Sequence, residues 1–366
     1  MLFKKIKKIK NNKYDLLLNE LKRSGKDVIL YGSGVYAYVV YKYINAKGIK
    51  VSKIVVDKKY KNKKSFLGKK IYTLESILKN INKYKIIIGF PNYPKVIKKF
   101  KNLNLENFII IDVPDFLNIP KKFMDYSFIK KNRVKLEKAY NLLDDKLSKR
   151  TFINSINTKL TGDVKYLFPQ VRFDHLYFTK ENFPRKKQEV LLDVGGYNGD
   201  SIKDLHNITS GNYNHIISLE PFPKMFKDLK STIKDLKIKN RCSPIQIGAW
   251  SKKTELSFTK TINNIDSKIE KKGNFKINVD RIDSILSKIN HSVTFIKLDI
   301  NGAEFNALKG ASETIKKNKP FIAVKMHVKE DFYRIPILLK KISPTIKLKL
   351  RQRNFMSMML VLYGYF

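Results

Sequence analysis

The sequence predicts an α/β protein with two doubly wound units, in which strands and helices alternate. Apolar runs of strand length alternate with helical patterns in residues 26–112 and again after residue 189, which is typical of parallel sheets. Each stretch opens with an apolar run followed directly by a glycine turn. With 366 residues, 43% of them hydrophobic, the chain is long enough to form two domains that each bury a core.

Composition limits the classes of function. The single cysteine, Cys242, excludes an internal disulfide framework and a zinc site built from cysteines. The net charge of +43 favours contact with nucleic acid or an anionic surface, but only ten of the 75 basic residues are arginine and the lysines are spread over the whole chain. Base-specific proteins rely on arginine. We therefore interpret the charge as a compositional bias and expect no specific nucleic-acid partner.

Residues 1–25 are interpreted as a basic segment that leads into a short helix at 12–23. The opening MLFKKIKKIK lacks the apolar stretch and cleavage site of a signal peptide, and no run approaches the ~20 apolar residues of a membrane span. The expected location is therefore the cytoplasm. Since Leu2, Phe3, Ile6 and Ile9 interleave with lysines, we expect a frayed basic tail, with weak contact to a membrane surface as the alternative.

Residues 26–112 predict a small Rossmann-like α/β domain of about four parallel strands. Gly32, Gly34 and Ala37 form a G-x-G-x-x-A turn after the first strand, and Asp57 ends the second strand twenty residues after Ala37. This spacing matches the dinucleotide-binding fingerprint. Similar folds also hold other nucleotides or no ligand, so the ligand of this domain stays open.

The remainder of the chain predicts a helical connector over 113–150 and a second domain over 151–366. Charged helical patterns and the prolines at Pro114 and Pro120 mark the connector. From residue 189 strands and helices alternate, except that no helix separates the last two strands. We therefore expect the second sheet to end in an antiparallel hairpin.

The second glycine turn lies in the stretch EVLLDVGGYNGDS, where a buried strand carries an acid near its end. Glu220 ends the next strand and Asp299 ends the fourth. Open α/β sheets bind ligands at the carboxyl ends of their strands. An acid beside the loop suits an ammonium or sulfonium group, and Glu220 suits two ribose hydroxyls, which together describe S-adenosylmethionine. The predicted cofactor site consists of Asp193, Gly195, Gly196, Tyr197, Gly199, Glu220 and Asp299.

From about residue 188 to 350 the sequence resembles the FkbM-type methyltransferases. The resemblance is carried by LLDVGGYNGDS, SLEPFPKMF, IQIGAWSKKTELSF, VDRIDSIL and TFIKLDINGAEFNALKGASETIKKNKPFI. It implies a doubly wound methyltransferase-type sheet, S-adenosylmethionine as cofactor, and Asp299 near the transferred methyl group. The family usually has a glutamate where this chain has Asn301, which raises the question of catalytic competence.

The acceptor is expected to be a hydroxyl group. After the fourth strand the chain reads DINGAE, whereas enzymes that methylate base or amide nitrogens often carry an N/D-P-P-Y/F turn there. The resemblance implies methylation of hydroxyls in sugars and natural products. The prediction is a sugar O-methyltransferase that acts on a glycan precursor in surface-polysaccharide biosynthesis. The alternatives are an RNA-binding methyltransferase and a non-catalytic nucleotide-sensing module.

Three residues are predicted to be catalytic: His327, Glu304 and Asp299. Asp299 lies at the end of the fourth strand, and His327 follows the neighbouring strand in AVKMHVKED. We expect His327, as a neutral imidazole, to take the hydroxyl proton, with Glu304 as the alternative base. No metal site is predicted.

Overall fold

The structure is a computed structural model that describes residues 2–8, 13–62, 64–91, 93–106, 108–110, 124–179, 188–259, 268–269 and 275–366. The chain divides into two compact units. The N-terminal unit comprises 1–131, 153–171 and 354–358, and the C-terminal unit comprises 132–152, 172–353 and 359–366. The predicted α/β class with two sheet-containing units is confirmed. The prolines of the predicted connector, Pro114 and Pro120, lie outside the described residues.

The N-terminal unit contains a six-stranded sheet in the order β3-β4-β2-β1-β5-β6. Its strands are β1 Asp27–Tyr31, β2 Val51–Val56, β3 Ser65–Phe66, β4 Lys69–Thr73, β5 Tyr84–Ile88 and β6 Phe108–Ile110. Five strands are parallel, and only β3 runs antiparallel, against β4. The prediction of about four parallel strands missed β4, because in KKIYT only Ile71 is buried and no apolar run marks the strand.

Helices accompany the parallel strands of this unit and continue beyond them. They are α1 Lys13–Arg23, α2 Val35–Ala46, α3 Leu74–Ile77, α4 Tyr93–Asn102 and α5 Tyr126–Lys131. The next helix, α6 Arg133–Asn141, belongs to the C-terminal unit, and α7 Lys146–Thr161 begins in the C-terminal unit and ends in the N-terminal unit. Ala37, on α2, is fully buried, and a Cβ built on Gly89 would come within 2.9 Å of its side chain. The third position of the G-x-G-x-x-A turn is therefore small because helix and sheet approach closely there.

The basic N-terminal segment is docked and not frayed. Leu2 and Ile6 are 1% and 4% exposed. The backbone N–H of Lys7 donates to Asn157 Oδ1 at 2.9 Å, and Asn157 Nδ2 donates to the carbonyl of Lys5 at 3.1 Å. Leu2 and Ile6, which were expected to touch a membrane surface, are thus buried within the protein. Phe3 is partly buried, and Ile9 lies outside the described residues.

The C-terminal unit contains a seven-stranded sheet in the order β16-β17-β15-β14-β7-β8-β9. Its strands are β7 Val190–Val194, β8 His215–Leu219, β9 Cys242–Ile245, β14 Phe295–Leu298, β15 Phe321–Lys325, β16 Lys347–Gln352 and β17 Leu360–Tyr365. The expected terminal hairpin is present, since β17 pairs antiparallel with both β15 and β16. The other neighbouring pairs are parallel.

A second, four-stranded sheet in this unit was not predicted from the sequence. It has the order β10-β13-β11-β12 and is formed by β10 Gly248–Ala249, β11 Thr254–Thr259, β12 Lys268–Ile269 and β13 Phe275–Asp280. Most of β13 alternates between buried and exposed residues, and its sequence FKINVD alternates apolar and polar residues in the same way, so the strand could have been predicted. The helices of the unit are α8 Asp200–Thr209, α9 Pro223–Asp235, α10 Ile282–Leu286, α11 Glu304–Gly310, α12 Ser312–Asn318 and α13 Asp331–Ile342.

Among the helices that the structure describes, none combines the length and the apolar character needed to cross a membrane.

Candidate functional site

The predicted site residues of the second domain lie along one edge of the seven-stranded sheet. Strand β7 lies between β14 and β8, all three parallel, so their carboxyl ends meet at this edge. The N–H groups of Gly195 and Gly196 both donate to the carbonyl of Leu219, and the N–H of Asp299 donates to the carbonyl of Val194. From β7 the chain continues to β8 on one side of β7, whereas β14 lies on the other side. The carboxyl end of β7 is therefore a topological switch point, where α/β proteins bind ligands.

Gly195 is required by the close approach of two strand ends. It has a φ of 87°, in the left-handed region. A Cβ there would lie 2.3 Å from the carbonyl oxygen of Asp299. Gly195 therefore lets the glycine loop contact the end of β14. Gly199, farther along the loop, is the N-cap residue of α8.

Asp193, directly before the glycine loop, pairs with Lys297 inside the protein. It is fully buried. Its Oδ1 lies 2.9 Å from Nζ of Lys297, and its Oδ2 accepts a hydrogen bond from Ser218. Lys297 also donates to the carbonyl of Gly195 at 2.7 Å. Asp193 therefore braces the glycine loop through Lys297, and its contact with a ligand ammonium stays a prediction.

Glu220 is placed as the sequence predicts, directly after β8 and beside the glycine loop. Its Oε2 accepts from the N–H of Tyr197 and its Oε1 from the N–H of Phe222, both at 2.9 Å. Tyr197 has a φ of 46°, so the loop adopts a left-handed conformation where it meets the carboxylate. Burial raises the pKa of Glu220 to about 7, although the two N–H groups oppose this rise. The two oxygens point in different directions and each retains a lone pair for a hydroxyl donor.

Asp299 is the centre of a charged cluster at the end of β14. Its Oδ2 accepts from the hydroxyl of Tyr177 at 2.5 Å and lies 3.0 Å from Nζ of Lys325. Burial by itself raises the pKa of Asp299, but Lys325, His327 and Lys297 outweigh it and hold the pKa well below its usual range. Asp299 is therefore an ionised carboxylate at neutral pH.

His327 lies between two carboxylates. Its Nδ1 is 2.7 Å from Glu304 Oε1 in hydrogen-bonding geometry, and its Nε2 is 3.1 Å from Asp299 Oδ1. The second contact lacks hydrogen-bond alignment, but the charges still attract. Burial lowers the pKa of His327, yet Glu304 and Asp299 raise it to about 9. The imidazole is thus protonated at neutral pH, and the neutral base expected from the sequence is not what this environment favours.

Glu304 is a buried brace for the turn that follows β14. Its side chain is fully buried. Its Oε1 accepts from the N–H of Ile300 and its Oε2 from the N–H of Gly302, both at 2.8 Å. With both oxygens held by backbone, Glu304 anchors the turn and His327. The exposed fractions of the side chains are 22% for Asp299, 4% for His327 and 0% for Glu304, so Asp299 is the member that a substrate can reach.

Asn301 occupies the same turn in a left-handed conformation. Its φ is 53°, and asparagine is one of the few non-glycine residues that tolerate this region well. The residue is exposed. Its backbone conformation therefore gives a local reason for an amide at this position, where the family usually has a glutamate.

The donor atoms of Asp299, Glu304 and His327 lie within 4.8 Å of one another, as in a metal site. However, Lys325 holds one oxygen of Asp299, and backbone N–H groups hold both oxygens of Glu304. Lys325, His327 and backbone N–H groups therefore already compensate these carboxylates, and the surroundings do not favour a further positive ion.

Sequence reasoning missed three residues that complete the site: Tyr177, Lys297 and Ser218. Lys297 is 2% exposed, and its position in the apolar run TFIKLDI was the only signal that could have pointed to a buried partner. Tyr177 comes from an irregular stretch with no periodicity, and its hydrogen bond to Asp299 becomes visible only in three dimensions.

Comparison with known proteins relates the part of the chain that carries this site to a family of methyltransferases. Residues 193–355 match the family described as Methyltransferase FkbM domain. Among solved structures, the chain is similar to methyltransferase FkbM from Methylobacillus flagellatus KT, with a TM-score of 0.70 and 20% sequence identity over 95% of this chain and 93% of that chain. A comparison with curated proteins finds no match.

Two weaker similarities involve about half of the chain. One is to an rRNA methylase from Streptococcus thermophilus, with a TM-score of 0.31 and 11% identity over 49% of this chain and 86% of that chain. The other is to an SAH-bound methyltransferase from Podospora anserina, with a TM-score of 0.30 and 15% identity over 49% of this chain and 71% of that chain.

The family resemblance predicted from the sequence is therefore confirmed for residues 193–355, which carry an FkbM methyltransferase domain. The similarity in fold to the Methylobacillus flagellatus protein extends over nearly the whole chain. The methyltransferase match also agrees with S-adenosylmethionine as the cofactor.

Proposed function

We propose that this protein is an S-adenosylmethionine-dependent O-methyltransferase that methylates a sugar hydroxyl of a surface-glycan precursor. The observation that carries the proposal is the position of Asp299, a partly exposed, ionised carboxylate at the sheet edge beside the glycine loop. The low pKa of Asp299 makes it a weak base toward a free hydroxyl, but the hydroxyl becomes strongly acidic as its oxygen bonds to the methyl group, and the carboxylate can receive the proton at that stage.

The residues at this edge fit the proposed cofactor. Glu220 offers two carboxylate oxygens to the hydroxyls of a ribose, and the loop around Gly195 and Tyr197 brings backbone close to the same place. When bound, S-adenosylmethionine supplies an electrophilic methyl group on sulfur. Lys297 and Asp193 keep the loop in position without using a ligand charge.

Asp299 is assigned here as the acceptor of the hydroxyl proton, in place of His327. The hydroxyl donates a hydrogen bond to the carboxylate, which orients the oxygen for in-line attack. Tyr177 and Lys325 hold Oδ2 of the same carboxylate. His327 stays protonated between Asp299 and Glu304, so it positions the carboxylate and compensates its charge.

A hydroxyl acceptor is favoured over a nitrogen acceptor by this arrangement. Nitrogen-methylating enzymes often hold the amino group with a proline-containing turn after the fourth strand, whereas here the turn DINGAE is held by Glu304 and leads from Asp299. The sugar class and the glycan role rest on the family resemblance, because the FkbM-type enzymes methylate hydroxyls of sugars and natural products.

The test is methyl transfer by the full chain from labelled S-adenosylmethionine to nucleotide sugars and surface-glycan fragments, followed by mass spectrometry of the product. Asp299→Asn should lower turnover by about 10²–10⁴-fold, while the affinity for S-adenosylhomocysteine changes little. Asp204→Asn is the matched control, because Asp204 lies on α8 and pairs with His175 at the surface. It should retain wild-type turnover.

Two outcomes would contradict the proposal. Full activity of Asp299→Asn would remove Asp299 as the proton acceptor. Salt-dependent RNA binding with methylation of RNA and no glycan methylation would favour the RNA-directed alternative, which the net charge of +43 motivates. Cofactor binding without turnover on any acceptor would instead favour a nucleotide-sensing module.

A further inference from the structure

The N-terminal unit contains a cavity of about 770 Å³ at the carboxyl ends of its central strands. The glycine turn after β1, the end of β2 and the loop after β5 line it. The volume falls in the range of small-molecule and cofactor sites. The position corresponds to the edge where open α/β sheets bind ligands.

The two glycines of the turn are explained in different ways. Gly32 has a φ of 133°, and a Cβ there would lie 2.9 Å from the carbonyl oxygen of Gly89, so the fold itself requires glycine. Gly34 has an ordinary φ of −93°, and a Cβ there meets no protein atom within 4 Å. Packing does not explain a glycine at position 34, which lines the cavity and leaves open space for a ligand.

The cavity is arranged to receive an anion. Gly34 is the N-cap residue of the twelve-residue helix α2 and has no side chain to cap the first-turn N–H groups, which form an anion-binding end of a helix. Among the described residues that line the same cavity, Lys59, Lys95 and Lys99 are the bases and Asp57 is the one acid, which gives these residues a net charge of +2. This charge matches a diphosphate group.

Asp57 and the aromatic side chains suit the nucleoside part of such a ligand. Tyr31 and Lys99 both contact Oδ1 of Asp57, which leaves Oδ2 outside these two contacts for a ribose hydroxyl. Tyr60 lines the cavity although it is 61% exposed. Phe90 also lines it and contacts Tyr31 with ring centroids 5.3 Å apart. Exposed rings beside a cavity provide faces on which a base can stack.

The sheet favours one nucleotide over a dinucleotide. The five parallel strands have the order β4-β2-β1-β5-β6. In chain order this corresponds to 3-2-1-4-5, whereas a dinucleotide-binding sheet has the order 3-2-1-4-5-6. Within the residues that the structure describes, the half that would hold the second nucleotide is one strand short.

From these observations we infer that the N-terminal unit binds a nucleoside diphosphate group. The diphosphate lies at the N-terminus of α2 against Gly34 and the lysines, and the ribose faces Asp57. This inference stands independently of the methyltransferase function proposed for the other unit.

The experiment is isothermal titration of the full chain with UDP and ADP as probes. Uridine, adenosine, inorganic pyrophosphate and NAD serve as comparison ligands. At least one of the two diphosphates should bind with a Kd below about 1 mM. The matching nucleoside and pyrophosphate should bind at least about tenfold more weakly, because each lacks half of the contacts. NAD should bind no more tightly than ADP.

Two variants and a matched control locate the site. Gly34→Val should weaken diphosphate binding about tenfold or more by filling the open space. Lys95→Glu should weaken it about fivefold or more by reversing a charge in the cavity. Lys98→Glu makes the same charge change on the same helix, α4, outside the cavity lining, and should change Kd less than about twofold. Both lysine variants should retain the wild-type melting temperature, and Gly34→Val, which replaces the N-cap glycine of α2, should melt only slightly below the wild type.

Titration with S-adenosylhomocysteine separates the two units. A chain that binds S-adenosylhomocysteine but neither UDP nor ADP would overturn the inference, and so would unchanged diphosphate affinity in both Gly34→Val and Lys95→Glu. Tighter binding of NAD than of ADP would also overturn it in favour of a dinucleotide. Diphosphate binding without S-adenosylhomocysteine binding would support the inference and contradict the proposed methyltransferase function.

Discussion

Replacement of His327 by glutamine should change the pH dependence of stability of the C-terminal unit. The side chain is 4% exposed and lies between Glu304 and Asp299, while Lys325 contacts the far oxygen of Asp299. Asp331, at the start of α13, accepts hydrogen bonds from the N–H groups of His327 and Val328. Glutamine retains a polar side chain but cannot carry the positive charge.

The magnitude follows from the pKa of His327. Its rise from 6.5 to about 9 in the folded protein corresponds to about 3 kcal/mol of the free energy of unfolding. Because the folded pKa is raised, this contribution is fully present below pH 6.5 and is lost as the pH rises through 9. Between pH 6 and pH 9.5, the free energy of unfolding of the wild type should therefore fall by about 3 kcal/mol relative to that of His327→Gln.

Urea unfolding at pH 6, 8 and 9.5 measures this difference, with tryptophan fluorescence as the signal. The chain has a single tryptophan, Trp250, in the C-terminal unit. His206→Gln is the control, since His206 contacts the neutral hydroxyl of Tyr213. If the stability difference between wild type and His327→Gln does not change with pH, the imidazole is not held protonated by the two carboxylates.

Four further outcomes are expected. Glu220→Ala should weaken binding of S-adenosylhomocysteine by about 2–4 kcal/mol, as measured by calorimetry. In the wild type this binding should be about tenfold tighter at pH 8 than at pH 6, because Glu220, with a pKa of about 7, ionises over this range. Unchanged affinity in the variant would remove Glu220 from the cofactor site. Gly195→Ala should lower the free energy of unfolding by more than about 2 kcal/mol, because its Cβ would meet the carbonyl oxygen of Asp299 at 2.3 Å; a melt like that of the wild type would show that the loop can move away. Asp145→Ala should lower the free energy of unfolding, measured in urea, by about 3–5 kcal/mol. The guanidinium of Arg351 lies 2.7 Å from Asp145 and the residue is 1% exposed, so the substitution leaves a buried charge without its carboxylate. A loss near zero would mean that water reaches the guanidinium. EDTA or added Mg²⁺ should change turnover less than about twofold, since protein cations compensate the carboxylate cluster; strong inhibition by EDTA would indicate a required metal ion.

The candidate site shows how far local patterns reach. Glu220 and the glycine loop lie where the spacing predicts, because parallel strands bring their carboxyl ends to one edge. The protonation of His327 could not be predicted in the same way. It depends on carboxylates from other parts of the chain and on burial, which set the pKa only after folding.

The sequence by itself determined the α/β class, the second glycine loop and the family of residues 193–355. These features depend on hydrophobic periodicity and on residues close together in the chain. Only the tertiary structure decided which charges pair: Asp193 with Lys297, and His327 with Asp299 and Glu304. It also distinguished Gly32 from Gly34, which look alike in the motif. The reason is that burial, electrostatic fields and close backbone approach come from distant segments, and no local pattern records them.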